Sequence, residues 1–445
     1  MIEYKGAVFI INMTKKMRII YFKQKGEFCK MSSKQLISKK DQDPFSSAAF
    51  SEPVKPNSRE LDQLIEEIAR DAEERRNTNS EARPDYAIKL IKQSKLGALR
   101  LPIEEGGGGA SIRDLFQVII CLAEADPDVA HSLRSHYSQV EEYLRNPDKK
   151  ERDKWLKRVA NGDIIGNAFT ELSSKNVGKY AFETTLSPDG DGYRLNGTKY
   201  FSTGTMYSDW VFVTASTHDG KTVSVVIPTN REGVIIEEDW DGIGQKLTGS
   251  GTTRLNNVYV FKDEVTFIDG TKTPFNSYLQ LFLHAVIAGI LRNVVTDASS
   301  LVHRRKRTFS FAAADKPTDD PQLQQVIGQL SSMAFAAEAI VLTAAEALDV
   351  AVRSAVDGAI DYSLSHEASL RAAQAKVVVD DLALKAATLL FEVGGASATR
   401  QSAKLDRHWR NIRTIASHNP TVYKARAIGN YIVNGTDLPI KEIYF

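Results

Sequence analysis

The chain has 445 residues and a mass of 49.3 kDa, with 57 Lys plus Arg against 56 Asp plus Glu and a formal charge of +1. That length suits two or three domains, and the balanced charge provides no overall field to gather nucleic acid or acidic lipid, so neither is expected as a partner. Cys29 and Cys121 are the only cysteines, too few for a disulfide framework or a thiolate metal site; no apolar run approaches the roughly 18 residues that cross a bilayer, and a reducing compartment, the cytoplasm, fits best.

The first fifty residues read apart from the rest. A short apolar run from Ala7 to Ile11 is followed by Lys15 and Lys16, then by polar, aperiodic sequence after Met31. Neither a secretory signal nor a transit peptide has this pattern, so residues 1–57 are expected to be a dispensable extension. From Ser58 onward Leu61, Leu64, Ile65, Ile68 and Ala72 recur at helical spacing, which predicts an amphipathic helix. Helices are also predicted at about Asp85 to Lys95, Ile112 to Glu124 and Val129 to Arg145, giving an N-terminal helical domain over 58–162. Across 163–270 the texture turns to short β-branched and aromatic runs, Trp210 to Val213, Val223 to Ile227 and Leu255 to Phe261 among them. Turn signals such as Asn196-Gly197 separate these runs, and a compact antiparallel β domain is expected. Residues 271–445 are Ala- and Leu-rich with long helical periods at about Tyr278 to Phe311, Pro321 to Ala355, Ser365 to Val393 and Lys404 to Arg413. Such helices need one another's faces, which predicts a C-terminal four-helix bundle. The fold class is therefore α+β.

Candidate chemistry is sparse. Gly106 to Gly109 lacks both the G-x-G-x-x-G spacing and the Lys-Ser/Thr of a phosphate loop. A flexible connection is the better reading. The eight histidines include no H-E-x-x-H and no zinc-spaced Cys/His pairing, so no metal is expected. Arg304 to Arg307 either complement the C-terminal dipole of a long helix or grip an anion, since a guanidinium matches phosphate oxygens in pairs. Gly394-Gly395 either ends a helix or brings backbone amides close to a phosphate.

Several stretches, in order, carry a resemblance: Leu101 to Gly107, Asn167-Ala168-Phe169-Thr170-Glu171, Leu195 to Gly204, Gly249 to Thr253, and Gly394-Gly395-Ala396. Together they resemble the acyl-CoA dehydrogenase superfamily over about residues 58–434, whose fold is a helical domain, a β domain and a four-helix bundle. Dehydrogenases of that superfamily need a carboxylate base late in the chain. Here the corresponding stretch, Arg413 to Pro420, has no acid, and Asp297 is the only acid between Tyr278 and Phe311. Ser417-His418-Asn419-Pro420 instead resembles the flavin-dependent monooxygenase branch, that of dibenzothiophene monooxygenase. The resemblance implies a two-component enzyme in which reduced flavin, FMN in preference to FAD, reacts with O2 to a flavin hydroperoxide that oxygenates a small apolar or heteroatom-bearing substrate. A separate flavin reductase and a homotetramer are implied with it; the alternative is an acyl-CoA dehydrogenase or oxidase with FAD and a relocated base. By the same resemblance His418 is the group at the peroxide and His136 a second active-site histidine. Asn167, Thr170, Phe201, Ser202 and Thr203 would surround the flavin ring, while Arg305, Arg307, Gly394 and Gly395 would meet its phosphate.

Overall fold

The computed structural model describes residues 50, 52–78, 81–172, 182–268 and 272–445; most of the expected N-terminal extension lies outside them. Its last residues correct the expected boundary. Val54 is buried in the core and its amide bonds the Ser94 carbonyl, because an apolar side chain here closes the end of the first helices.

The N-terminal helices are α1 (Arg59–Thr78), α2 (Asp85–Gln93), α3 (Ile112–Ala125), α4 (Pro127–Ser132), α5 (Arg134–Leu144) and α6 (Lys149–Ala160). Ser111 caps α3 in a reciprocal box with Asp114, which satisfies two amides at the helix start. The single helix expected from Val129 to Arg145 is two. Asp126 caps α4 through the Asp128 and Val129 amides, and the chain turns at Leu133 before α5 begins. That break decides which histidine reaches the site.

The strands are β1 (Ile165–Ala168), β2 (Thr185–Asp189), β3 (Gly192–Lys199), β4 (Trp210–Thr217), β5 (Thr222–Pro228), β6 (Val234–Ile236), β7 (Thr253–Phe261) and β8 (Val265–Phe267). They form one sheet in the order β6-β7-β3-β2-β4-β5-β8, with β1 beside β4. Most pairings are antiparallel as expected, but β1 and β2 each run parallel to β4, so the sheet is mixed. Leu186, Leu195, Val211, Val213, Val225, Ile227 and Val258 fill its core.

The C-terminal helices are α7 (Asn276–Arg304), α8 (Pro321–Arg353), α9 (Tyr362–Gly394), α10 (Asp406–Ala416) and α11 (Thr421–Asn434). The first three pack on one another, α10 closes the bundle against α7 and α9, and α11 lies on α9. Among the described helices α7 alone has the length and mean hydropathy, 1.5, to suit a bilayer. It is the central core helix, covered by α3, α8, α9 and α10. It ends at Arg304 rather than running on to Phe311, since Arg305 turns extended and its Nε donates to the Arg307 carbonyl. One apolar cluster joins α1 to α4 with the bundle, so the N- and C-terminal helices share a core at whose edge the sheet docks.

Candidate active site

The strand end beyond β1 is fixed by a buried ion pair. Lys199, at the end of β3 and fully buried, reaches Glu171 at 2.8 Å and the Phe169 carbonyl at 3.3 Å. Burial lowers the Lys199 amine to about 8, while hydrogen bonds from Lys199, Thr184 and the Glu183 amide hold the Glu171 carboxyl below its ordinary range despite burial. This pair sets Thr170 against Tyr200, whose amide donates to the Thr170 carbonyl at 2.8 Å.

Next comes the loop 201–205. Phe201 has φ 56° and is 48% exposed, its ring edge-on to Trp240; a left-handed aromatic residue carries backbone strain of the kind that gathers at functional sites. The Thr205 hydroxyl clasps Asn167 at both its amide and its carbonyl, tying the loop to β1. Thr203 Oγ1 lies 2.8 Å from Ser250 Oγ, which lies 2.6 Å from Thr248 Oγ1, and the latter donates to the Gln245 carbonyl. Gln245 also has a left-handed backbone, φ 53°. Its Oε1 accepts from His131 Nδ1–H at 2.8 Å.

From His131 the line continues to Arg134, at the start of α5. Arg134 Nε donates to the Leu279 carbonyl at 2.9 Å and Nη1 to His418 Nε2 at 3.2 Å. The His418 ring is 5.6 Å from that of Tyr444, whose hydroxyl is 3.3 Å from Thr170 Oγ1. With His131 and Arg134 joined through the turn at Leu133 rather than by a contact, these residues form a circuit through Thr170, Tyr200 to Thr203, Ser250, Thr248, Gln245, His131, Arg134, His418 and Tyr444. His418 is exposed at the start of the turn that follows α10. Four buried polar atoms on or beside the circuit lack protein partners among the described residues: His131 Nε2, Gln245 Nε2, Ser202 Oγ and Asn419 Oδ1. Buried polar groups are ordinarily satisfied, so the set fits a planar ligand bearing both donors and acceptors along its edge.

His418 has a defined protonation state. Burial, then Arg134, His131, Lys376 and Lys424, hold its imidazole well below its ordinary range. An arginine only donates, so Nε2 accepts and the proton sits on Nδ1. The turn that carries His418 is clamped from α9: Lys376 Nζ donates to the Ala416 carbonyl at 3.0 Å and to Asp380 at 2.9 Å, and the Thr421 hydroxyl donates to Asp380 at 2.6 Å.

His136 is placed elsewhere. It is fully buried, with Nε2 donating to the Gly97 carbonyl at 2.9 Å and Nδ1 accepting from the Ile165 amide at 3.2 Å. Both nitrogens are spent on backbone, so the expected second active-site histidine is here a strut between the helices and β1. The histidine beside His418 is His131, which sequence spacing did not single out. His136→Ala would orphan two buried backbone groups and open a cavity. A loss of about 2–4 kcal/mol in unfolding free energy is expected, read by chemical denaturation. Burial lowers His131 and His136 alike from 6.5 to about 4. The unfolded chain takes up these protons first, so stability is complete above pH 6.5. It falls as pH drops toward about 4, by up to about 1.4 kcal/mol per pH unit for each histidine. Melting temperatures measured across that range check the direction.

The other predicted residues lie at the far end of the bundle. Arg305 Nη1 donates to the Val393 carbonyl at 3.3 Å, which sets its guanidinium against Gly394 and Gly395; Arg307 is exposed. Gly395 has φ 55°, and nothing lies within 4 Å of where its Cβ would be, an open face that admits close backbone approach. Leu279 and Arg305 stand at opposite ends of α7, some 26 residues or about 39 Å apart at 1.5 Å per residue. The residues expected at the flavin ring and those expected at its phosphate thus lie at opposite ends of α7 within one chain.

Comparison with known proteins agrees with this layout. Residues 167–258 match the acyl-CoA dehydrogenase middle domain and residues 281–422 its C-terminal domain. The dibenzothiophene monooxygenase of Mycolicibacterium goodii is 31% identical over 362 residues, 77% of this chain and 86% of that protein. The chain belongs to the acyl-CoA dehydrogenase superfamily, on its dibenzothiophene monooxygenase branch. Among solved structures, TdsC from Paenibacillus sp. A11-2, in complex with FMN and indole, superposes with a TM-score of 0.79 at 25% identity, over 87% of this chain and all of that one. The methanesulfinate monooxygenase MsuC from Pseudomonas fluorescens gives 0.77 at 27% identity, over 86% of this chain and 98% of that one. This superfamily membership accounts for the order of helical, sheet and bundle elements.

Proposed function

We propose that the protein is a reduced-FMN-dependent monooxygenase that adds one atom of O2 to a small sulfur-containing substrate, supplied with reduced flavin by a separate reductase. The observation that carries this reading is the circuit itself. It holds two histidines, an arginine, two tyrosines and a row of hydroxyls, and no carboxylate; the nearby Glu171 is committed to Lys199. A dehydrogenase base would need an acid there, whereas an oxygenase needs a donor for a departing oxygen.

When bound, reduced FMN supplies the two electrons that activate O2. Asn167, Thr170, Phe201, Ser202 and Thr203 would hold the ring, with the unpaired Ser202 Oγ and Gln245 Nε2 available as polar partners. His418 would offer Nδ1–H as a hydrogen-bond donor at the reacting oxygen, and Arg134 holds the tautomer that makes Nδ1 the donor. Being neutral, His418 acts as an oriented hydrogen-bond donor rather than as a free imidazolium. The cleft walls exclude bulk water, which would otherwise release the activated oxygen as peroxide.

Arg305, with Gly394 and Gly395, suits the FMN phosphate, and Arg307 adds charge nearby. A ribityl phosphate tail has about seven bonds of about 1.5 Å each, far short of the length of α7. The phosphate end therefore serves the ring bound by a partner subunit, which supports a shared-site oligomer, a homotetramer by resemblance. The exposed stripe of α11 formed by Val422, Ala425, Gly429 and Val433 is an apolar face of the kind that mates between subunits. We place the enzyme in the cytoplasm, where flavin reductases and reduced cysteines coexist. Fluorescence titration with FMN and FAD, followed by oxygen uptake with a reductase, tests the proposal. FMN-dependent uptake coupled to a sulfur substrate supports it; bleaching of tightly held FAD by acyl-CoA without oxygen contradicts it.

A further inference from the structure

The geometry points to Arg134 as the residue that selects the substrate, and to a small organic oxyanion of the sulfinate class as what it selects. This rests on the monooxygenase reading and narrows it.

Arg134 is a half-buried cation on the circuit wall with no carboxylate opposite. Its Nε is fixed on the Leu279 carbonyl and its Nη1 on His418 Nε2, and no hydrogen bond among the described residues uses Nη2. Among the described residues no acid is within ion-pair reach of it, and Tyr444 is the group that offsets its burial. Burial lowers the guanidinium only to about 10, so it stays charged at neutral pH. An unpaired charge partly removed from water is costly. Of the basic groups near His418, His131 is neutral at pH 7, Lys376 is paired with Asp380, and burial lowers the Lys424 amine to about 7. The acid among these groups, Asp380, is already engaged by Lys376, Thr421 and His284. Lys424 is spent on the Tyr444 carbonyl and the Phe445 ring.

Arg134 therefore carries an unpaired charge before any ligand enters, and its uncommitted Nη2 belongs to the same guanidinium whose Nη1 bonds His418. A two-oxygen anion matches a guanidinium edge, and bound there its sulfur lies beside the group that donates to the departing oxygen. The oxygenation balances for such a substrate. One atom of O2 bonds to sulfur, which gives up two electrons, and the other leaves as water with two electrons and two protons from the reduced flavin. A neutral aromatic sulfide or indole would leave the half-buried Arg134 charge unpaired. That marks a difference from relatives that take neutral ring substrates.

The test uses the full chain with methanesulfinate as probe and dimethyl sulfoxide as its neutral counterpart of similar size. Calorimetry should show methanesulfinate binding and no measurable dimethyl sulfoxide binding, with or without FMN. Arg134→Met should weaken methanesulfinate by about 30- to 100-fold and raise its KM in step, with FMN affinity within about threefold of the parent. Arg134→Lys, tested alongside a thermal melt that confirms folding, should recover part of the loss. Equal handling of the neutral probe, or an unchanged KM in Arg134→Met, would overturn the assignment. So would a loss of FMN affinity as large as the loss of methanesulfinate affinity, because Arg134 would then serve the flavin. If methanesulfinate binds through Arg134 while reduced FMN and O2 yield no oxygenated sulfur product from any substrate, the monooxygenase reading fails and the anion site stands.

Discussion

His418→Ala is expected to lower product formation by about 10²- to 10³-fold, the usual effect of removing one oriented donor from a reacting oxygen, while FMN affinity stays within about threefold. Oxygen uptake should continue, with its electrons appearing as free hydrogen peroxide. The reason is geometric. The His418 ring is held by Arg134 on one nitrogen and by the clamped turn beneath it, so deleting it removes a donor without unseating the loops 201–205 and 245–252. His418→Gln should recover part of the coupling, because a neutral amide also donates. His418→Lys should not, since a second cation would face Arg134. Peroxide and product measured in the same reaction separate this role from a structural one, in which FMN affinity and melting temperature would fall together with product.

Charging the exposed stripe of α11 should have an effect of similar size by a different route. Val422→Glu combined with Val433→Glu places two carboxylates on residues that are 71% and 79% exposed in a single chain, so the fold of one protomer should tolerate them. If that face mates with a second subunit, the assembly should dissociate, and FMN affinity should fall by about 30-fold or more as charge-assisted phosphate bonds are lost. Light scattering and flavin titration on the same sample read both quantities. Dissociation with FMN affinity intact would show that the phosphate and ring ends of one site belong to one chain, against the 39 Å or so that separates them along α7.

Much of this architecture is legible in the sequence, and the omissions have physical causes. The long helices α8 and α9 are predicted close to their observed ends because their apolar residues repeat over many turns, while α7 stops at Arg304, short of the predicted Phe311. α11 is not predicted, since its outward face carries Val422 and Val433 where a surface helix would carry polar residues, and no two-sided pattern remains to be read. The β strands rich in valine are found; β1, β6 and β8 are too short for periodicity to register. Of the motif residues, Thr170, Thr203 and His418 lie on the same circuit, and Asn167 is tied to it through Thr205. The second histidine is misplaced for a local reason. His131 and His136 lie in what reads as one helix, but the turn at Leu133 sends His131 toward Gln245 and His136 into the backbone of Gly97 and Ile165. The Asp126-Pro127 cap marks where α4 starts, but nothing in the sequence marks where it stops. Arg134 looks like an ordinary surface residue of α5 until the fold sets it opposite His418.

The measurement that bears most directly on the central claim is isotopic. Reduced FMN, oxygen-18 gas and a panel of small sulfur compounds are supplied to the protein, and the products are weighed by mass spectrometry. The account predicts a product carrying one labelled oxygen atom at sulfur, formed with FMN and strongly reduced in His418→Ala. Unlabelled products, or desaturation of an acyl thioester in the absence of oxygen, would contradict it.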